Sequence, residues 1–194
     1  MSIRYGGTPA GRVAYSTVGT GPPSLLDSGW IPHLRGQSDL LSFGRFVERL
    51  VERFTVVRYD KPGCGLSDRD DVDLSFEGQV GAALAVVDAV GAPRFRLFGA
   101  SQGGQLAAVI AARCPERVEA LVVYGMFASG RDLASPAVVA HLLEMYYDSD
   151  IRAVLPTIRT PSAVLRPEAD RGTPFELGRD VAAHIPLPGT SHLF

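Results

Sequence analysis

A serine between two glycines marks the most chemically informative turn of this sequence. The run Gly99-Ala100-Ser101-Gln102-Gly103 follows an apolar stretch and precedes an alanine-rich one, so it is predicted to join a strand to a helix. In that setting the serine oxygen is exposed at the carboxyl edge of a sheet, and the glycines let backbone segments approach closely. The N-terminus of the following helix favours a developing negative charge. Ser101 is therefore the candidate nucleophile, with an incidental serine in a glycine-rich turn as the alternative.

A serine hydroxyl needs a base to become a good nucleophile, and that base is commonly a histidine oriented by a carboxylate. With a nucleophile on a strand-turn-helix, the expected order along the chain is serine, acid, histidine. The sequence contains four histidines, which are His33, His141, His184 and His192. His33 precedes the serine, whereas His141 and His184 lie in helical patterns. The candidate acids in loops after the serine are Asp132, Glu168 and Asp170.

The segments around this turn alternate between strand-like and helix-like patterns. Strands are predicted at 12–16, 24–26, 54–59, 95–98, 120–124 and 162–165, and helices at 43–51, 76–90, 103–113, 136–147 and 175–185. Such alternation predicts an α/β fold, in which a doubly wound, mostly parallel sheet carries helices on both faces. No repeat, low-complexity run or linker divides the chain, so residues 1–194 are predicted to form a single domain.

Composition narrows the function classes. The formal net charge is −2 and 21% of the residues are charged, so no basic field favours nucleic acid or anionic lipid. Cys64 and Cys114 have no second pair, which fits reduced thiols better than a disulfide framework or a zinc site. No stretch approaches the ~20 apolar residues that span a bilayer, and the N-terminus lacks an apolar signal core. We expect a cytoplasmic protein that binds neither nucleic acid nor membrane.

Three segments together resemble the α/β-hydrolase fold family, in its serine-nucleophile branch of esterases, lipases and peptidase-like enzymes. The Ser101 run is similar to that family's Gly-x-Ser-x-Gly turn. The run Tyr59-Asp60-Lys61-Pro62-Gly63-Cys64-Gly65-Leu66-Ser67 resembles its Asp-x-x-Gly-x-Gly-x-Ser loop, with Lys61 and Pro62 in place of the more usual Arg-containing pair. Ser28-Gly29-Trp30 is similar to its His-Gly-aromatic or Pro-Gly-aromatic segment, although Asp27-Ser28 is atypical there.

The resemblance implies a role for five residues. Ser101 would be the nucleophile, His192, in a late Gly-x-x-His loop, the base, and Asp170 the acid that orients it. The backbone amides of Trp30 and Gln102 would hold the oxyanion; the alternative for Trp30 is packing under a loop. The implied reaction is hydrolysis of an ester, thioester, lactone or small amide through an acyl-serine, as in a carboxylesterase. The expected partner is a small acyl substrate, and neither a metal nor an organic cofactor is implied.

The sequence departs from the family pattern in three places that concern activity. Only a minimal lid, at about 126–155, stands where a helical cap is usual. The strand expected between Ile185 and His192, and the helix expected after His192, have no counterpart in the sequence. These departures keep open a non-catalytic small-molecule-binding or regulatory module, or an inactive truncated hydrolase. An exposed sheet edge is also expected to favour self-association.

Overall fold

The computed structural model of the chain describes residues 2–30, 32–39, 41–129, 149–165 and 175–186. Seven strands and four α-helices lie in these ranges. The strands are β1 (Ile3–Thr8), β2 (Gly11–Val18), β3 (Pro23–Asp27), β4 (Thr55–Tyr59), β5 (Phe95–Ala100), β6 (Val118–Tyr124) and β7 (Ser162–Leu165). The helices are α1 (Leu41–Val51), α2 (Phe76–Ala89), α3 (Gln102–Arg113) and α4 (Phe175–His184). The strands form a mostly parallel seven-stranded sheet, which confirms the predicted α/β class.

The chain divides into two compact units, Met1–Leu97 and Phe98–Phe194. In the first unit the strand order is β1-β2-β4-β3. β1 and β2 are antiparallel, β2 and β4 are antiparallel, and β3 runs parallel to β4. Because β3 and β4 are parallel neighbours, the residues that follow Asp27 and Tyr59 leave the sheet at the same edge. Helix α2 packs on β1, β2 and β4.

In the second unit β6 pairs with β7 in parallel, in the register Leu121↔Ser162 to Tyr124↔Leu165. Helix α3 packs against β6, and α4 packs against β7. Every residue of α3 from Gln102 to Ala111 is buried, so this helix has no solvent face over its first ten residues. Its alanines, glycines and aliphatic residues suit that position, because a helix that is apolar all round belongs in a core.

The strand β1 is absent from the sequence-based prediction, which begins its first strand at residue 12. Gly6 and Gly7 lower the strand propensity of this segment, and glycine has no side chain to pack. What stabilises β1 is its pairing with β2, from Ile3↔Ser16 to Thr8↔Gly11. The turn at Pro9-Ala10 closes this hairpin, and Thr8 Oγ1 accepts a hydrogen bond from the Ala10 amide at 3.1 Å.

Several expectations fall on residues outside the described ranges. These are the helix predicted at 136–147, most of the lid predicted at 126–155, and the segment around residues 187–194. Within the described ranges, no helix is long and apolar enough to cross a membrane.

Candidate active site

Ser101 lies on the turn between β5 and α3, as predicted, and its backbone is strained. Its φ is 52° and its ψ is −126°, and only one other non-glycine residue in the described ranges, Asp71, has a positive φ. Side chains disfavour this conformation by about 1–3 kcal/mol, so it persists only where the surroundings impose it. Ser101 is exposed, whereas the ten residues after it are buried. The turn therefore presents one serine to solvent from an otherwise buried helix.

Backbone hydrogen bonds hold this turn in place. The Ser101 amide donates to the Tyr124 carbonyl at 2.8 Å, which ties the turn to the end of β6. The Ser101 carbonyl accepts from the Gly104 amide at 3.0 Å. The Ser101 side chain makes no capping hydrogen bond to α3, unlike Ser75, whose hydroxyl accepts from the Gly78 amide at the start of α2. The Ser101 hydroxyl is therefore not committed to capping its own helix.

Gly99 is required by the close approach of β5 and α3. A Cβ atom at this position would lie 2.5 Å from the Gly103 carbonyl oxygen, 2.7 Å from Gly104 Cα and 2.8 Å from Ala107 Cβ. Two of these atoms belong to backbone and cannot move aside without shifting the helix. The first glycine of the Gly-x-Ser-x-Gly run thus sets the position of α3 relative to the serine.

The two residues predicted to supply oxyanion donors lie in different units. Gln102 is the first residue of α3 and its side chain is buried, with 2% exposed. The first amides of a helix have no acceptor within the helix and point out of its N-terminus, as a donor to an anion must. Trp30 lies in the loop after β3 and is 40% exposed. The oxyanion role of both amides stays a prediction.

The predicted acid and base, Asp170 and His192, lie outside the described residues, as do the alternatives Asp132, Glu168 and His141. The other two histidines have local partners. His33 Nδ1 accepts from the Gly36 amide at 3.2 Å, and His184 Nδ1 lies 2.8 Å from the Asp180 carbonyl oxygen one turn earlier in α4. His184 also lies 3.3 Å from the Asp180 carboxylate. Both contacts are short-range and fit structural roles.

The Asp-x-x-Gly-x-Gly-x-Ser loop is held by its first and last residues. The Asp60 carboxylate accepts from the Leu34 amide at 2.7 Å and from the Leu66 amide at 2.8 Å. Ser67 Oγ donates to the Asp60 carbonyl at 2.6 Å and accepts from the Ala14 amide at 2.9 Å. Burial raises the pKa of Asp60, against the lowering effect of those two amides and of the nearby charges of His33 and Arg58. This motif therefore fixes backbone, and its residues are engaged in structure.

A buried glutamine that the sequence analysis did not single out joins both ends of the predicted lid region to α3. Gln105 is fully buried, its Nε2 donates to the Phe127 carbonyl at 3.1 Å, and its Oε1 accepts from Ser149 Oγ at 2.9 Å. Ser129 and Asp150 form an antiparallel bridge, beside which the Ile151 amide donates to Ala128 at 3.0 Å. We call residues 127–129 and 149–151 the stem. The sequence signal was a glutamine within an alanine-rich helical pattern.

The described ranges contain no candidate metal centre. Within them, no group of three histidine, cysteine or acidic side chains is placed to bind one metal ion. Neither Cys64 nor Cys114 forms a disulfide within the described ranges, and each is partly exposed. Burial raises the pKa of the Cys64 thiol, against the lowering effect of Lys61. The raised pKa favours the neutral thiol.

Comparison with known proteins identifies the family. Pyrrolizixenacetamide deacetylase of Xenorhabdus hominickii is 30% identical over 122 residues, which are 63% of this chain and 44% of that protein. The 2-hydroxy-6-oxononadienedioate/2-hydroxy-6-oxononatrienedioate hydrolase of Paraburkholderia phymatum is 34% identical over 129 residues, 64% of this chain and 43% of that protein. These alignments therefore span less than half the length of either relative. The crystal structure of a hydrolase from Pseudomonas aeruginosa matches with a TM-score of 0.81 at 20% identity, covering 100% of this chain and 89% of that one. Residues 30–154 match the sequence model for the alpha/beta hydrolase fold, and the chain belongs to that family.

Proposed function

We propose that this chain is a serine hydrolase that cleaves a small ester, thioester, lactone or amide through an acyl-serine at Ser101. The observation that carries the proposal is the strained, exposed backbone of Ser101 between β5 and α3. Strain of this kind is retained where function uses it, and here it presents a hydroxyl that does not cap the helix. The names of both curated relatives, a deacetylase and a hydrolase, support hydrolysis as the class of reaction.

In the proposed mechanism, Ser101 Oγ attacks the substrate carbonyl carbon while His192 takes the hydroxyl proton. Asp170 orients His192 and stabilises its positive charge. The amides of Trp30 and Gln102 donate to the oxyanion, since donors fixed in advance stabilise charge as it develops. His192 then returns the proton to the leaving alcohol, thiol or amine. A water molecule, deprotonated by His192, attacks the carbonyl carbon of the acyl-serine, and His192 returns that proton to Ser101 Oγ as the carboxylic acid leaves.

The position of Gln102 supports its part in this mechanism. Its amide is the first in a helix of twelve residues, so the helix dipole adds to the hydrogen bond it would donate. Removal of one such donor typically costs about 3 kcal/mol of transition-state stabilisation. If the serine of this turn were incidental, removal of this donor would cost no transition-state stabilisation.

Covalent labelling tests the proposal. A fluorophosphonate probe should modify the purified chain at Ser101, located by peptide mass spectrometry, and Ser101→Ala should take up no label. The matched control is Ser75→Ala, which removes a helix-capping serine in the first unit and should label as the unmodified chain does. Label on another serine, or label retained in Ser101→Ala, would overturn the assignment. A folded chain that takes up no label, yet binds a small acyl compound, would favour the ligand-binding alternative.

A further inference from the structure

The two unusual positions noted in the sequence, Asp27 and Lys61, form an ion pair. Asp27 ends β3 and Lys61 follows β4, so the parallel pairing of these strands brings both residues to one edge of the sheet. Lys61 Nζ lies 3.1 Å from Asp27 Oδ1, and their side chains are only 2% and 6% exposed. Residues 34 positions apart in the sequence thus form one buried salt bridge.

Both oxygens of the Asp27 carboxylate have further donors. Tyr59 Oη donates to Asp27 Oδ2 at 2.7 Å. The Gly29 amide donates to Asp27 Oδ1 at 3.2 Å, on the same oxygen that faces Lys61. Gly29 has a φ of 112°, which only glycine adopts without strain, so the hydrogen bond holds a backbone that would otherwise be free to change conformation. The next residue is Trp30.

Stability alone does not explain such a pair. Two charges taken out of water lose hydration that their attraction barely repays, and a buried pair can often be replaced by apolar residues without loss of stability. An ionised carboxylate does, however, accept a stronger hydrogen bond from a backbone amide than a neutral group does. What the pair supplies is therefore a fixed acceptor for the loop after β3.

We propose that Asp27 and Lys61 are positioning residues, which hold the backbone of Gly29 and Trp30 in one conformation and so serve the oxyanion role proposed for the Trp30 amide. The catalytic part of this inference rests on the proposed function. Lys61 holds the Asp27 carboxylate in place, and Asp27 holds the Gly29 amide. Neither side chain is assigned a contact with substrate.

The sequence provides two built-in probes for this proposal. Trp30 is the only tryptophan and Lys61 is the only lysine of the chain. Tryptophan fluorescence therefore reports on this loop alone, and an amine-directed reagent can modify only Lys61 and the N-terminus. Since Lys61 is buried, we expect the folded chain to be acylated at the N-terminus only, with Lys61 reacting once the chain is unfolded.

The test compares two double variants. Asp27→Asn with Lys61→Met removes both charges but keeps an oxygen that can accept from Gly29 and an amide that can donate to Tyr59. Asp27→Leu with Lys61→Met removes the charges and the acceptor together. We expect the leucine form to raise the acrylamide quenching constant of Trp30 and to lower kcat for p-nitrophenyl acetate about 100-fold with little change in KM. The asparagine form keeps a weaker, neutral acceptor and lacks Lys61, so both values should fall between those of the unmodified chain and those of the leucine form.

Several outcomes of this test decide whether Asp27 and Lys61 position the loop. A leucine form that melts cooperatively and matches the unmodified chain in quenching overturns the proposal. Quenching that changes equally in both double variants also overturns it, because the acceptor would then be irrelevant. A change in quenching without any hydrolysis by the unmodified chain leaves the positioning role standing and refutes the proposed function instead. Should the leucine form fail to fold, hydrogen exchange on the unmodified chain decides: a slowly exchanging Gly29 amide supports the proposal, and a rapidly exchanging one contradicts it.

Discussion

Ser101 adopts a backbone conformation that costs energy, and the residues around it are arranged to impose it. Gly99 allows β5 and α3 to meet, and the Tyr124 carbonyl holds the Ser101 amide. The motif could be found from sequence because all five of its residues are contiguous and glycine placement reports backbone demands directly. The strain itself is visible only in the structure, since it depends on where the end of β6 lies.

Gly99→Ala should damage the turn. Its new Cβ would lie 2.5 Å from the Gly103 carbonyl oxygen, so we expect a loss of about 1–3 kcal/mol in the free energy of unfolding and a large fall in kcat/KM. Gly81→Ala is the matched control, because a Cβ at that position in α2 meets nothing within 4 Å. The substitution also removes a glycine from a helix. It should stabilise the chain by up to about 1 kcal/mol and leave hydrolysis unchanged. Chemical denaturation and steady-state kinetics measure both; equal behaviour of the two variants would contradict the close-packing account.

Lys61 should make stability depend on pH. Burial lowers its pKa, against the raising effect of Asp27. Between that lowered pKa and the unfolded value of about 10.4, the folded chain binds fewer protons, so the free energy of unfolding rises with pH. Asp27→Asn with Lys61→Met lacks this contribution. Relative to that variant, the unmodified chain should gain stability in urea unfolding as the pH rises towards about 10; a constant difference would contradict a depressed lysine pKa.

At the scale of elements, the sequence patterns located the four α-helices and six of the seven strands in the part of the chain that the structure describes. The predicted helix at 103–113 is α3, and the predicted strand at 162–165 is β7 with the same bounds. Both have strong local sequence signals. The helix is rich in alanine, and a proline, Pro161, directly precedes the strand. β1 was missed because its stabilisation comes from pairing with β2, and pairing between strands is not encoded in the composition of one of them.

Gln105, like β1, makes contacts with residues that are distant in the sequence. It lies one turn after Ser101 and holds Phe127 and Ser149 from the two arms of the stem. Neither partner could be chosen from the sequence, since the arms are separated by residues 130–148. A buried amide side chain surrounded by apolar residues does indicate that a specific partner exists.

Gln105→Leu should loosen the stem. It leaves the Phe127 carbonyl and the Ser149 hydroxyl without this partner, so we expect a loss of about 1–3 kcal/mol in the free energy of unfolding. Because the stem joins α3 one turn after Ser101, the proposed nucleophile, kcat/KM should also fall about 10-fold or more.

Gln79→Leu is the control for that prediction. Gln79 is likewise a buried glutamine whose Nε2 donates to a backbone carbonyl, that of Leu74, but it lies on α2 in the first unit. It should cost comparable stability and leave kcat/KM unchanged at temperatures where the chain is folded. A kinetic effect of equal size in both variants would indicate general loosening, without a particular role for the stem.

At the scale of the whole molecule, the family and the architecture followed from sequence more directly than the active site did. Three short motifs predicted the family because each one constrains backbone, and the match over residues 30–154 confirms it. The proposed triad is different in kind, since its three residues are far apart in the sequence. Asp170 and His192 lie outside the described residues, so their assignment remains a prediction from the chain order and the resemblance.

The salt bridge between Asp27 and Lys61 is also a contact between distant residues that the sequence did not predict. Each residue stood out in the sequence as unusual at its own position. That they contact each other depends on the parallel pairing of β3 and β4, which a single sequence does not specify. Two unexplained residues became one explained pair only when the sheet was known.

Burst-phase kinetics with p-nitrophenyl acetate test the central claim, that Ser101 forms an acyl-enzyme with His192 as its base. The account predicts a burst of p-nitrophenol stoichiometric with the folded chain, no burst in Ser101→Ala, and a burst and turnover both strongly reduced in His192→Ala. Ser75→Ala, the helix-cap control, should keep the full burst. A burst that survives in Ser101→Ala, or a cooperatively folded chain that shows neither burst nor turnover with this ester, would contradict it.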